Sequence, residues 1–176
     1  MNSRDYIKTK VAWNALRGSR YDWELSEYRA EITRQFYLVI SSINNSLNIM
    51  SENAVQSDDK HDKHEKDHFF PPQTICRIIM DDYTLQDKYL KHFDAFKDLI
   101  QLITKTIVVT KEENKLLRRQ TKNSNGVLYL QQSLIEKYDC AGIVLHDGAK
   151  GQIDFPFVLP DDILECEKKY IKPEKF

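Results

Sequence analysis

The stretch RYDWELSEYRAEITRQFYLVISSINNSLNIMSE, residues 20–52, decides the reading of the fold. Its apolar residues fall at Leu25, Tyr28, Ile32, Phe36, Val39, Ile40, Ile43, Leu47 and Met50. Steps of three and four mark one face of an α-helix. Glu24, Glu27, Glu31, Arg34, Asn44 and Asn48 fall off that stripe. A helix over the whole stretch would run about 50 Å at 1.5 Å per residue, and it needs a long partner to cover its apolar side.

A second stripe supplies that partner. Leu85, Tyr89, Phe93, Phe96, Ile100, Ile103 and Ile107 repeat at helical spacing, and Thr84 with Asp87 resembles a cap. The β-branched run ITKTIVVT (103–110) at its end also suits a strand, because such side chains lose rotamer freedom in helices. The fold class expected is therefore mainly α, a helical bundle around two long antiparallel amphipathic helices.

Shorter elements surround the pair. A helix from about Arg4 to Leu16 would place Ile7, Val11 and Ala15 on one side, with Gly18 as its stop. Residues 51–70, including SENAVQSDDKHDKHEKDH, are almost devoid of apolar residues and read as a charged loop or flexible linker. Pro71 and Pro72 open a short helix through Ile75, Ile78 and Ile79. Thr110 and Glu113 form a capping box, so one element ends near Val109 and a helix starts at Lys111. That helix runs to the turn NSNG (123–126), and a further helix spans Val127 to Tyr138.

Residues 142–158 contain two short apolar runs about a glycine-containing turn, a hairpin signal, with Pro156 confining the second run to an edge. A final helix opens at Pro160. Helix, turn, helix and hairpin make 110–176 a candidate winged-helix-like subregion within a single domain over 1–176.

Composition narrows the function classes. Apolar residues make up 41% and charged residues 30%, which argues for a packed globular chain. The formal net charge of −1 gives no overall field towards nucleic acid or an anionic membrane. Nowhere do about 18 apolar residues run together, so no membrane partner is expected. The first residues carry Arg4, Lys8, Lys10, Arg17 and Arg20 without an apolar run, unlike a secretory signal. Cys76, Cys140 and Cys166 are isolated and odd in number, which fits a reducing cytoplasm.

Four groups of residues could carry chemistry. His61, His64 and His68 would stack on one face if helical, offering a metal site with Asp62, Glu65 and Asp67. No apolar residue there could anchor such a site, so a solvated loop is the plainer reading. The acidic pairs Asp81–Asp82 and Asp161–Asp162, with the carboxylate-x-lysine spacing of Glu167–Lys168–Lys169, are the remaining support for a metal-dependent hydrolase. Lys111, Lys115, Arg118, Arg119 and Lys122 cluster on one helix and could contact phosphates, although the following helix is too apolar to read bases. Finally, Tyr37 and Leu38 are apolar positions off the stripe of the first long helix, as a protein interface would require.

The interaction reading uses most of the sequence. The chain is expected to be a non-enzymatic interaction or accessory subunit, without a cofactor, that binds another protein chain or self-associates. A nucleic-acid-binding regulator using 111–122 is the alternative, and a metal-dependent hydrolase the third.

Overall fold

The computed structural model describes residues 1–43, 45–57, 64–123, 134–147 and 159–167; the side chains at 48, 118–123, 134–136, 147 and 167 are outside that description. The protein is mainly helical with a small mixed sheet. Two compact units share the chain: Met1–Asn45 with Phe70–Thr104 and Leu159–Phe176, and Ser46–Phe69 with Lys105–Val158. No described helix is long and apolar enough to cross a membrane.

The first unit is helical. Its opening helix α1, Ser3–Gly18, is capped by Asn2, whose Oδ1 accepts from the Asp5 N–H and whose Nδ2 donates to the Asp5 carboxylate, each at 2.8 Å. The second helix, α2, spans Ser26–Ser41. It lies antiparallel to α1: Lys8 donates to the Ser42 carbonyl at one end, and Tyr28 to Ser19 Oγ at 3.4 Å at the other.

The expected 33-residue helix therefore stops halfway, and the composition of the junction explains why. Residues 41–46 read SSINNS, side chains that compete with the backbone for hydrogen bonds. Ser42 Oγ donates to the Val39 carbonyl at 2.7 Å. Asn45 Nδ2 donates to the Gln101 carbonyl at 2.8 Å and to Thr104 Oγ1 at 3.0 Å, satisfying a carbonyl at the end of another helix.

The second long stripe is also divided. It is preceded by α4, Pro72–Asp81, with proline in its first turn as expected. A short turn, α5, Tyr83–Leu85, is capped by Asp82 and runs into π-type turns over Gln86–Leu90. After a break at His92, α6 covers Phe93–Ile103. Phe96, Ile100 and Ile103 are buried as the stripe requires, and with Trp13, Leu16 and Ile40 they belong to this unit's core.

The second unit is built on a four-stranded sheet in the order β2-β3-β1-β4. Strand β1, Ser46–Ser51, takes the half of the expected helix that carries Leu47 and Met50. Strand β3, Thr106–Thr110, is the β-branched run, and it pairs parallel with β1. Strand β2, His64–His68, pairs antiparallel with β3 from His64↔Thr110 to His68↔Thr106. Strand β4, Leu145–Asp147, pairs antiparallel with β1.

Residues 51–70 are thus no simple linker: they contribute the short helix α3, Glu52–Gln56, and the strand β2. Composition misled because β2 keeps its polar side chains at a sheet edge, where charge also blocks edge-to-edge pairing. Asp67 on β2 accepts from Lys137 at 2.5 Å and from the Tyr138 hydroxyl at 2.6 Å. Both donors lie on α8, Leu134–Asp139. Burial holds the Tyr138 phenol far above its usual range, so it stays a donor.

A glycine closes α8. Gly142 adopts φ 67°, its N–H reaches the Asp139 carbonyl, and the Ile143 N–H returns to Tyr138 at 2.8 Å. That left-handed turn sends the chain directly into β4. The second run of the expected hairpin, 148–158, lies outside the described residues. Within the candidate winged-helix span, α7, Lys111–Asn123, belongs with the sheet, whereas the last helix, α9, Asp161–Glu167, belongs to the helical unit.

Candidate interaction surface

Helix α1 buries the side opposite its Ile7–Val11–Ala15 stripe. Asp5, Thr9, Ala12, Trp13 and Leu16 face inward, whereas Ile7, Val11 and Ala15 face solvent. Trp13 sets this orientation. Its ring meets Phe93 at 5.2 Å between centroids, and its Nε1 donates to the Tyr89 carbonyl at 3.0 Å. Trp13 together with Leu16 and Ala12 gives the inward face more apolar area than the aliphatic residues of the other. The polar residues on the inward side are satisfied locally, Asp5 by Asn2 and Thr9 by the Asp5 carbonyl at 2.8 Å.

Ile7 is left 62% exposed and Val11 53%, one turn apart on a regular helix. At about 100° per residue, Arg4 and Lys8 flank them on one side and Lys10 and Arg17 on the other. Lys10 Nζ sits 3.9 Å from the Phe93 ring centre, and the Arg17 guanidinium 4.4 Å from that of Trp13. These cation–π contacts hold that flank of charge in place.

Helix α2 is charge-balanced, with Glu27 and Glu31 against Arg29 and Arg34. Glu27, Ala30, Glu31, Arg34, Gln35 and Leu38 are exposed. Arg34 engages both oxygens of Glu31 at 2.7 and 2.9 Å, and Gln35 donates to the same carboxylate at 2.6 Å. Hydrogen bonds from Arg34, then Gln35, bring the Glu31 carboxyl down to about 2, so it is anionic at any ordinary pH. Leu38 is 49% exposed, while its neighbour Tyr37 is half-buried. The end contacts of the antiparallel pair put Leu38 and Val11 at about the same height.

No protein-family model, curated protein or solved structure matches the chain.

The other residues singled out in the sequence are dispersed. His64 and His68 lie on a strand, about 13 Å apart along it at 3.3 Å per residue, where a helix would have stacked them. Ser57 Oγ is 2.9 Å from His64 Nε2, and His61 lies outside the described residues. Among the described residues, no three His, Cys, Asp or Glu side chains are grouped to hold a metal ion.

Three of the four paired acids, Asp81, Asp82 and Asp162, have structural partners. Asp81 accepts from Trp23 Nε1 at 2.5 Å, and Asp82 caps α5 and takes the Cys166 thiol at 3.3 Å. Asp162 binds Lys88 at 2.6 Å and the Tyr89 hydroxyl at 3.1 Å. Of the basic helix, Lys111 and Lys115 are exposed on α7, and Lys115 pairs with Glu112 at 2.6 Å. Arg118, Arg119 and Lys122 belong to the same helix, with side chains outside the description.

The thiols separate cleanly by environment. Cys76 is buried, and desolvation pushes its pKa up to about 12, which keeps it protonated and inert. Cys166 is buried, and Cys140 is exposed. Iodoacetamide at neutral pH should therefore label Cys140 quickly in the folded protein, with Cys76 and Cys166 reacting only after denaturation. Mass mapping of the labelled peptides checks this, and rapid labelling of Cys76 would contradict the packing described.

Proposed function

We propose that the chain is a non-enzymatic interaction subunit, and that the outward face of α1 and α2 is where it binds another protein chain or itself. The observation that carries this reading is the exposure of Ile7 and Val11 on successive turns of α1, together with that of Leu38 on the antiparallel α2. Single exposed aliphatics are ordinary, but a helical stripe rimmed by charge is the usual form of a protein contact. The structural roles of Asp81, Asp82 and Asp162 support the same reading, since these carboxylates already serve as acceptors within the helical unit.

Burying Ile7 and Val11 should contribute about 1.5–3 kcal/mol each to association. The double change Ile7→Asp/Val11→Asp is then expected to weaken the complex about 100-fold or more. Its melting temperature should hardly move, because both side chains are exposed in the free protein. Native-mass analysis of the chain recovered from its own cells checks this. Wild type should appear as an oligomer or with one stoichiometric partner, and the double variant as a monomer. Wild type recovered as a partner-free monomer would defeat the proposal.

A further inference from the structure

We draw no further inference here: the strongest candidate, the exposed Ile7–Val11 stripe on the outward side of α1, belongs to the surface already described, and nothing in the structure shows what covers it.

Discussion

Trp13→Ala is expected to destabilise the helical unit by about 4 kcal/mol, within the range for truncating a buried aromatic. Three losses combine at this position. The ring is only 7% exposed, and its removal leaves a cavity against Phe93. The Tyr89 carbonyl, at the last turn before the break at His92, loses the indole N–H. Lys10 and Arg17 lose the ring face over which they sit. Trp13→Phe separates these contributions, because it keeps most of the apolar area and removes the donor. It should cost about 1–2 kcal/mol. Urea denaturation measures both, and a Trp13→Ala cost below about 1 kcal/mol would mean the ring does not anchor α1.

Glu113→Ala should have a similar effect in the sheet-containing unit, about 3 kcal/mol. The Glu113 side chain is 4% exposed and accepts three hydrogen bonds. They come from the Thr110 N–H at 2.8 Å, Ser51 Oγ at 2.6 Å and Asn53 Nδ2 at 3.0 Å. Ser51 in turn caps α3 by accepting from the Ala54 N–H. One carboxylate therefore joins the starts of α7 and α3 at the ends of β3 and β1. Its removal leaves the buried Ser51 hydroxyl and the half-buried Thr110 N–H without an acceptor, at about 1 kcal/mol or more each, while the exposed Asn53 can turn to water. Glu113→Gln keeps one acceptor oxygen and should lose about half as much. Hydrogen exchange should rise at Thr110 and Ala54 together; a rise at Thr110 alone would show that the cap acts only within α7.

Much of the element pattern was legible in the sequence. The first half of the 20–52 stripe is α2, the Pro71–Pro72 start is α4, and ITKTIVVT carries β3. Each has a local cause: helical spacing of large apolar residues, proline in a first turn, β-branched crowding. The second half of the stripe misled because Leu47 and Met50 continue the helical spacing past the end of α2 at Ser41. In β1 the buried apolar residue is Ile49, which lies off that spacing. The SSINNS junction carried the stop signal, but spacing alone does not weigh it against the stripe.

The face of α1 could not be read from spacing, because two stripes compete on the same helix. Ile7, Val11 and Ala15 form one, and Trp13 with Leu16 the other. Which goes inward depends on Phe93 and the Tyr89 carbonyl, about 80 residues away in the chain. Long-range packing outweighs local amphipathicity when the larger side chain finds a matched site.

The Thr110–Glu113 capping box shows the same division within a single residue. Its local half follows from residue types three apart, and both reciprocal bonds are present, at 2.8 and 3.2 Å. The other half, in which the same carboxylate holds Ser51 and Asn53, exists because the parallel pairing of β1 with β3 brings together chain segments about 60 residues apart. Spacing along one chain dictates a helix and its cap. Burial of a helix face, and the use of a carboxylate by a second helix, depend on which distant segments arrive beside it, and those neighbours are a property of the folded whole.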